Sequence, residues 1–578
     1  MKTNKAPNIN YLWAKLIVEE LIRNGVEYFC ISPGSRSAAL TMAVAQHPKA
    51  KHFIHYDERG SAFHALGYVA ATKRPCAIIT TSGTAAANLL PAIIETSKKK
   101  LPLVVLTADR PPELRNTGAH QTIDQVKLFG EYVRWFFDMP APTTDIAPEF
   151  VLTTIDQAVF QAKGNPSGSV HINCMFREPL DPVKKGLLDS YTKHLNRWEK
   201  SSAPYTSYLT SQTKLGAQSV KEIAAKLKTI KSGVIVVGKI NSEDADDVLR
   251  LSEKLNWPIF PDVTSTLRLG ATHKNIIHHF DQILLSKQDQ NKIKIDGVLH
   301  LGGRITSKRW YQFVEQTKPA QYIVVLGHPL RNDPLHNVST RVQCAYGHFC
   351  KSVFPHVSKQ TSNGVLNALQ KLNIRMRESI ENVCFKNAGL TEAAAARIIT
   401  QCVPKTHALF SSSSLPIRQF DMYGDYTGAN VRIGSNRGAS GIDGTIATAV
   451  GFSKGLDKSV TLLIGDLAFL YDLNSLSMLR EMSKSMVIVV LNNNGGGIFS
   501  FLPIAQNNKY FQKFFTTPQN VQFSAAADMF DLNYFNPKTC EEFADAYALA
   551  LKRNTSTIIE VTSDVDINLK IQEELKRK

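Results

Sequence analysis

The chain has 578 residues, too many for one hydrophobic core, and its 43% hydrophobic and 20% charged residues are typical of a soluble protein with several globular domains. Its net charge of +17 is spread along the sequence without a nucleic-acid-binding signature, so we expect solvated surface charge and no nucleic acid partner. Polar residues interrupt every long apolar stretch, so no membrane insertion is expected.

Two features predict a cytoplasmic location. The eight cysteines form no C-x-x-C pair, which argues against a zinc site and a disulfide framework and predicts buried free thiols. The N-terminal segment carries Glu19 and Glu20 where a secretory signal would be apolar. It predicts instead an amphipathic helix, whose apolar residues at helical spacing are Leu12, Trp13, Leu16, Ile17 and Leu21.

The first domain, which we place at residues 1–185, alternates short apolar runs with helical patterns. The runs end in Gly, Ser, Asp or Thr, and they are EYFCISPG, FIHYD, CAIITTSGT and LPLVVLTADR. This alternation predicts a parallel sheet with amphipathic helices on both faces. Because ligands of such sheets bind at the carboxyl ends of the strands, the polar residues there are candidate ligand contacts.

Two further α/β regions follow a predicted linker at residues 186–213, which is rich in Ser, Thr, Tyr and Lys. The middle domain, placed at residues 206–365, contains the predicted strands SGVIVVGK, GVLHLGGR and QYIVVLGH. The third domain, placed at residues 385–578, contains HALFSSSS, VTLLIGDLAFLYD and SMVIVVLNNNGGGIF. The predicted fold class is therefore α/β, with three doubly wound parallel-sheet domains, and a shared topology of the first and third domains stays open.

Asp466 and Asn493 each follow a strong strand of the third domain. Between them, a helix is predicted from apolar residues at helical spacing, which are Leu473, Leu476, Leu479 and Met482. Adjacent parallel strands would place the two side-chain oxygens side by side, and with a backbone carbonyl they would suit Mg²⁺ carrying a diphosphate. Taken singly, Asp466 is more often a helix N-cap and the Asn-Gly run a turn, and only the pairing favours a site.

This pattern, Gly-Asp followed by Asn-Asn, resembles the thiamine diphosphate motif, whose common form begins Gly-Asp-Gly. Leu467 stands where the common form has its second glycine. A narrower family shares this departure, the one that makes 2-succinyl-5-enolpyruvyl-6-hydroxy-3-cyclohexene-1-carboxylate (SEPHCHC) in menaquinone biosynthesis. The resemblance covers most of the chain, is weakest in the middle region, and is carried by ISPGSRSAAL, HYDERGSAFHALG, TSGTAAANLLPAIIE, LTADRPPELRNTGAHQTIDQ, SNRGASGIDGTIATAVG, GDLAFLYDLNSL and NNNGGGIFSFLP.

The resemblance implies a transferase with three domains of the thiamine diphosphate enzyme type, which uses thiamine diphosphate together with Mg²⁺ or Mn²⁺. It implies decarboxylation of 2-oxoglutarate and 1,4-addition of the succinyl carbanion to isochorismate, which gives SEPHCHC and CO₂. Both substrates are dicarboxylates, so the site should be rich in cationic and hydroxyl donors. Family members of this type combine residues of different subunits in one active site, which implies a homodimer or a homotetramer.

The resemblance also implies roles for individual residues. Glu58 matches the glutamate that bonds the pyrimidine ring and favours its imino tautomer, and Ile442 matches the bulky residue beneath the thiazolium. Asp466 and Asn493 match metal ligands by side chain, and Gly495 matches one by its backbone oxygen. The positions that match substrate contacts are Ser35, Arg36, Arg110, Gln121, Lys308, Ser414, Arg418, Arg437, Ile498, Phe499 and Leu502. We predict that the catalytic residues are Glu58, Arg418 and Arg437, while the role of His120 stays open.

Three other functions compete with this interpretation. The nearest is another thiamine diphosphate enzyme, such as an acetohydroxyacid synthase or a 2-oxoacid decarboxylase, although Leu467 and the arginine set argue against it. The second is an FAD or NAD oxidoreductase that uses the middle domain, where VVGKINSED is a poor match to G-x-G-x-x-G. The third is a basic nucleic-acid-binding protein, which the scattered charge disfavours.

Overall fold

The strands of the described chain form three parallel sheets. The structure is a computed structural model that describes residues 6–185, 189–360, 364–386 and 389–577. The predicted α/β class with three parallel sheets is therefore confirmed. Parts of the predicted domains and linker lie outside the described residues, namely residues 1–5, 186–188, 361–363, 387–388 and 578.

The chain groups into two compact units. The first comprises Met1–Ser211, Asn436–Asp457 and Asp472–Met482, and the second comprises Gln212–Ser435, Lys458–Tyr471 and Ser483–Lys578. Two segments of the predicted third domain therefore belong to the first unit. The domain boundaries drawn from the sequence stay predictions.

The sheet of the first unit has six strands in the order β2-β1-β3-β4-β6-β5, and each neighbouring pair is parallel. The strands are β1 (Tyr28–Ile31), β2 (Lys51–Ile54), β3 (Cys76–Thr80), β4 (Leu103–Asp109), β5 (Trp135–Met139) and β6 (Ser169–Met175). The first four overlap the predicted runs, and β5 and β6 extend the sheet beyond them.

The N-terminal part of the chain forms the helices α1 (Ile9–Arg23), α2 (Ala38–Ala45), α3 (Glu58–Thr72), α4 (Thr84–Ala87), α5 (Leu90–Lys99), α6 (Glu149–Lys163), α7 (Asp189–Thr192) and α8 (Asn196–Glu199). The predicted N-terminal helix is confirmed as α1, and Leu12, Trp13 and Leu16 on it are almost fully buried. Asn8 caps α1 by accepting a hydrogen bond from the backbone N–H of Tyr11. The Asn8 side chain therefore satisfies one of the backbone N–H groups that have no partner within the first turn of α1.

The middle sheet has five parallel strands in the order β11-β10-β9-β7-β8. The strands are β7 (Gly233–Val237), β8 (Ile259–Pro261), β9 (Gly297–Leu301), β10 (Gln321–Leu326) and β11 (Thr340–Gln343). Its helices are α9 (Ala217–Thr229), α10 (Ala245–Leu255), α11 (Phe280–Ile283), α12 (Lys287–Gln290), α13 (Lys308–Thr317), α14 (Tyr346–Val353) and α15 (Gly364–Phe385). Val234 and Val236 pack into one apolar core while Ile235 and Val237 pack into another, so helices cover both faces of this sheet.

The third sheet has six parallel strands in the order β13-β12-β14-β15-β17-β16. The strands are β12 (His407–Ser411), β13 (Ile433–Ser435), β14 (Ser459–Gly465), β15 (Met486–Asn492), β16 (Asn533–Phe535) and β17 (Thr557–Thr562). The C-terminal part of the chain forms the helices α16 (Glu392–Cys402), α17 (Leu415–Tyr423), α18 (Thr445–Leu456), α19 (Asp466–Tyr471), α20 (Asn508–Phe511), α21 (Ser524–Met529), α22 (Cys540–Lys552) and α23 (Val565–Arg577), of which α18 belongs to the first unit. Counted from its own first strand, this sheet repeats the strand order of the first sheet, which answers the question that the sequence left open.

The connection from Asp466 to β15 differs from the single helix that its apolar spacing predicts. Helix α19 ends at Tyr471, and a 3₁₀ helix runs over Leu473–Glu481. Asp472 lies between them, is fully buried, and accepts hydrogen bonds from Ser475 Oγ at 2.8 Å and from the backbone N–H of Ala447 at 3.0 Å. Because these bonds hold Asp472 at the start of a new helical segment, the predicted helix is interrupted there.

Two glycines bring α3 and α18 into backbone contact within the first unit. A Cβ on Gly67 would lie 2.0 Å from the carbonyl oxygen of Thr448, and one on Gly451 would lie 1.9 Å from that of His64. Only glycine permits so close an approach. Helix α3 is consequently buried on nearly every side, and the expectation that it is amphipathic is wrong, because α18 covers the face that the pattern would expose.

Six of the eight cysteines are buried and free, as predicted, whereas Cys402 is exposed and Cys540 is half-buried. Among the described residues, no helix combines the length and the apolar character that crossing a bilayer requires.

Candidate active site

The carboxyl ends of β14 and β15 bring Asp466 and the Asn-Gly segment together. These strands are parallel neighbours, with Gly465 opposite Leu491. One carboxylate oxygen of Asp466 accepts the backbone N–H of Gly495 at 2.6 Å, and the other accepts that of Leu467 at 2.7 Å. Asp466 and the Asn-Gly segment therefore meet at these strand ends in the second unit, and the metal site that the sequence places there stays a prediction.

The Asp466 carboxylate is nearly fully buried, with 4% of its surface exposed. Burial raises the pKa of Asp466 to about 6, and the negative charge of Glu392 adds to this rise, while the N–H groups of Gly495 and Leu467 oppose it. A carboxylate held in this way gains most from a nearby cation.

Asn493 presents an oxygen that lacks a partner. Its Nδ2 donates a hydrogen bond to the carboxylate of Glu392 at 2.8 Å. Its Oδ1 is buried, and within the described part of the chain no hydrogen-bond donor reaches it. Because a buried acceptor without a partner is costly, this oxygen is suited to a ligand such as a cation.

Gly495 has a backbone conformation and a close contact that exclude a side chain. Its φ is +130°, and a Cβ there would lie 2.0 Å from the carbonyl oxygen of Thr516. Its own carbonyl oxygen accepts the N–H of Gly497 at 2.9 Å and retains a second lone pair. One carboxylate, one amide oxygen and one backbone oxygen are hard ligands that fit Mg²⁺ or Mn²⁺ completed by diphosphate oxygens.

In the described ranges, no group of three or more His, Cys, Asp or Glu side chains is arranged to hold a metal ion.

Glu58 begins α3 in the first unit. Asp57 caps this helix by accepting the N–H of Gly60 at 3.2 Å. Glu58 is half-buried, and its carboxylate accepts a long, solvent-exposed hydrogen bond from Asn88 Nδ2 at 3.4 Å. Glu58 is therefore presented at a helix N-terminus, where the helix dipole favours a negative charge.

Arg437 and Ile442 lie on the loop that joins β13 to α18, and both belong to the first unit. The buried carboxylate of Glu95 accepts the N–H groups of Gly438 at 2.8 Å and of Ala439 at 2.6 Å, which anchors this loop. Ile442 is 36% exposed, so its apolar side chain is available to a ligand.

Two arginines of the first unit match substrate contacts, and they follow the carboxyl ends of β1 and β4. Arg36 is buried, donates to the carbonyl oxygen of Phe176 at 2.9 Å and pairs with Glu178 at 3.1 Å. Arg110 donates to Ser82 Oγ and, at 2.8 Å, to the carbonyl oxygen of Gln121. Burial lowers the pKa of Arg110, and the charge of Arg36 lowers it further, so these two cations act on each other.

Ser35, Gln121 and the neighbouring His120 are exposed side chains in the same unit. Gln121 has a φ of +56°, and its Nε2 donates to the carbonyl oxygen of Ser82 at 3.1 Å. The structure thus brings Arg110 and Gln121 together around Ser82, a residue that the sequence analysis did not select.

The remaining predicted residues belong to the second unit. Ser414 precedes α17 with a φ of +72°, and Arg418 of the same helix donates back to its carbonyl oxygen. Lys308 is exposed at the start of α13, in the middle domain. The apolar positions occupy or adjoin the 3₁₀ helix Gly497–Phe501, and they are Ile498, Phe499 and Leu502.

Glu392 is the second residue that the sequence analysis did not select. It begins α16 after the N-cap Thr391, within the stretch TEAAAA, and it reads as an ordinary acidic residue in a first helical turn. Only the packing of α16 beside Asn493 reveals its contact with the site.

Comparison with family models identifies three regions of the chain. The model described as "Thiamine pyrophosphate enzyme, N-terminal TPP binding domain" matches residues 13–128. "Middle domain of thiamine pyrophosphate" matches residues 189–411. "Thiamine pyrophosphate enzyme, C-terminal TPP binding domain" matches residues 425–561.

Comparison with curated proteins and solved structures extends this similarity over the whole chain. SEPHCHC synthases from Rubrobacter xylanophilus and Salinibacter ruber are 44% and 41% identical, covering 99% of this chain and 98% and 97% of their own lengths. An X-ray structure from Mycobacterium smegmatis, assigned as a thiamin diphosphate-dependent enzyme, shares the fold with a TM-score of 0.71 at 15% identity, covering 96% of this chain and 99% of its own. The chain therefore belongs to the SEPHCHC synthase family of thiamine pyrophosphate enzymes.

Proposed function

We propose that this protein decarboxylates 2-oxoglutarate and adds the resulting succinyl unit in a 1,4 sense to isochorismate, giving SEPHCHC and CO₂ in menaquinone biosynthesis. The observation that carries the proposal is membership of the SEPHCHC synthase family over nearly the whole chain. Thiamine diphosphate, when bound, supplies the nucleophilic carbon that this carbon–carbon chemistry needs.

Asp466, Asn493 and Gly495 would hold the divalent metal, Mg²⁺ or Mn²⁺, through one carboxylate, one amide and one backbone oxygen. The buried and unpartnered Oδ1 of Asn493 supports this assignment, as does the absence of room for a side chain at Gly495. Glu58 would hold the pyrimidine ring and stabilise its imino tautomer, and Ile442 would lie against the thiazolium.

The substrates would be bound through their carboxylates and an apolar wall. Arg36, Arg110, Arg418 and Arg437 supply guanidinium groups, which bond both oxygens of a carboxylate. The donors Ser35, Gln121, Lys308 and Ser414 complete the set, with Ile498, Phe499 and Leu502 as the apolar contacts. Arg418 and Arg437 would in addition act in catalysis.

We include in this proposal a cytoplasmic location and a homodimer or homotetramer. Glu58 belongs to the first unit and the metal-binding residues belong to the second. By resemblance to the family, an active site would combine Glu58 of one subunit with the metal site of another. Analytical ultracentrifugation of the purified protein tests this, and a monomer at micromolar concentration would contradict it.

The activity is tested by supplying 2-oxoglutarate with thiamine diphosphate and Mg²⁺, with and without isochorismate. We expect the succinylated adduct to form, with one CO₂ released per turnover at full rate, only when both substrates are present. Release of CO₂ from pyruvate and not from 2-oxoglutarate would favour a 2-oxoacid decarboxylase or an acetohydroxyacid synthase instead.

A further inference from the structure

A fully buried glutamate contacts the predicted metal ligand Asn493. Glu392 has no exposed surface. Its Oε1 accepts hydrogen bonds from Asn493 Nδ2 at 2.8 Å and from Ser563 Oγ at 2.9 Å. Its Oε2 accepts one from Gln419 Nε2 at 2.7 Å. All of these residues belong to the second unit.

The negative charge of Glu392 has no cationic partner of its own. Across the described ranges, no lysine, arginine or histidine forms an ion pair with it. Buried carboxylates are costly unless a cation balances them, and neutral donors alone rarely account for one. A site that binds a cation close by would supply the missing charge.

The carboxylate of Glu392 fixes the orientation of the Asn493 amide. A carboxylate only accepts hydrogen bonds, so the end of the amide that faces it must be the NH₂ group. Because the amide is planar, its Oδ1 then points away from Glu392. That Oδ1 is the buried acceptor for which the described residues provide no donor.

We propose that Glu392 is a positioning residue for the divalent metal, which fixes the Asn493 amide so that its oxygen is offered to the cation and adds a buried negative charge to the site. The proposal rests on the proposed function, since it requires Asn493 to be a metal ligand. Outer-shell partners of this kind commonly orient and tune the ligands they contact.

Two substitutions separate the orientation from the charge. Glu392→Ala removes the acceptor and releases the amide. Glu392→Gln removes the charge but can keep an amide oxygen that accepts the hydrogen bond from Asn493 Nδ2. The new NH₂ group would then face Gln419, whose amide can turn and accept through Oε1, an atom without a donor in the described structure. We therefore expect the alanine variant to be the more severely affected.

Glu560 provides a matched control in the same unit. It is 2% exposed and accepts a hydrogen bond from Asn492 Nδ2 at 2.7 Å, so it is a second buried glutamate bonded to the preceding asparagine. Glu560→Ala reports the general effect of removing such a group. It leaves the bond between Glu392 and Asn493 intact.

The test titrates Mn²⁺ into each full-length protein at saturating thiamine diphosphate and follows free Mn²⁺ by electron paramagnetic resonance, which does not depend on turnover. Thermal unfolding checks that each variant is folded. We expect the Kd for Mn²⁺ to rise roughly 10–100-fold in Glu392→Ala and less in Glu392→Gln, with a change below about twofold in Glu560→Ala.

A Kd in folded Glu392→Ala within about twofold of wild type, or an equal rise in Glu560→Ala, would overturn the proposal. If Glu392→Ala does not fold, Glu392→Gln decides, and an unchanged Kd there overturns it as well. Failure of the wild-type protein to bind Mn²⁺ with thiamine diphosphate would instead overturn the metal site of the proposed function.

Discussion

The backbone N–H of Gly495 donates to the buried carboxylate of Asp466 at 2.6 Å, which joins the two segments that follow β14 and β15. Asp466 therefore orders the glycine segment, and under the proposed function it would also offer a negative oxygen to the metal. A charge-assisted bond of this kind contributes about 1.5–3 kcal/mol to stability.

Replacement of Asp466 tests its assignment to the metal site. Asp466→Asn keeps an acceptor for the N–H of Gly495 but loses the charge, whereas Asp466→Ala loses both. We expect both variants to bind thiamine diphosphate and metal at least roughly tenfold more weakly, because metal ligation needs the carboxylate. Isothermal titration with both ligands measures this, and unchanged affinity in Asp466→Ala would remove Asp466 from the metal site.

Glu58→Gln tests the assigned partner of the pyrimidine ring. A neutral amide cannot favour the imino tautomer as a carboxylate does, so we expect turnover to fall by roughly 10²–10⁴-fold while cofactor affinity stays within about threefold. Glu131→Gln, at an exposed position of the same unit, controls for the loss of one charge. A fully active Glu58→Gln enzyme would show that another residue has this role.

Gly495→Ala should distort the site even though it adds only one methyl group. The φ of +130° and the contact with Thr516 at 2.0 Å both oppose a Cβ, and together they should lower the free energy of unfolding by about 2–5 kcal/mol. Gly118 also has a positive φ, +77°, but a Cβ there meets no atom within 4 Å. Gly118→Ala should therefore lower the free energy of unfolding by only about 1–2 kcal/mol, as measured by denaturant unfolding. Equal losses in the two variants would show that the contact with Thr516 does not add to the cost at Gly495.

Arg110→Lys keeps the positive charge but removes the planar guanidinium, which a substrate carboxylate would bond through two oxygens. We expect the Michaelis constant for at least one of the two substrates to rise roughly tenfold, with a smaller change in kcat. Arg177, which is paired with Glu113 at 2.6 Å on the surface of the same unit, supplies the control Arg177→Lys. Steady-state kinetics with each substrate varied in turn measures this, and unchanged Michaelis constants for both would exclude Arg110 from the binding site.

The stability of the protein should fall in acid partly through Glu19. Hydrogen bonds from His47 at 2.9 Å and Arg23 at 2.8 Å lower the pKa of Glu19 from 4.5 to about 2. The unfolded chain then binds a proton at a higher pH than the folded chain, so this stabilisation is complete above pH 4.5 and is lost as the pH falls towards 2.

Glu19→Gln should therefore lower the free energy of unfolding at pH 7 by about 1–2 kcal/mol, a value reduced for partial exposure. Its unfolding free energy should also decline less steeply than that of wild type between pH 4.5 and 2, which urea titrations at several pH values would measure. Parallel pH profiles would show that Glu19 does not titrate in this way.

Much of the framework of this site follows from patterns along the sequence. The strands that precede Asp466 and Asn493 are short, mainly apolar runs that include several β-branched residues, and such runs between turn residues favour buried parallel strands. Neighbouring strands then place their polar ends together, as the bond between Asp466 and Gly495 shows. Local patterns sufficed here because the two segments are joined by a short connection.

Other features depend on contacts between residues far apart in the chain. Glu392 reaches Asn493 only through the packing of α16, and nothing in its helical turn distinguishes it from a solvated acid. The break at Asp472 depends on Ala447, and the burial of α3 depends on α18. A periodic pattern describes one segment at a time, so it cannot register a partner supplied by a distant one.

The backbone contact between α3 and α18 has a practical consequence for dissecting the protein. A fragment that stops at Ser211 contains every strand of the first sheet but lacks α18, which follows more than two hundred residues later. The face of α3 around Gly67 would then be exposed to water. Truncation at the linker would therefore yield an incompletely folded fragment that is prone to aggregation. Deletion mapping should instead retain residues 436–457, for example by joining them to the N-terminal part through a designed loop.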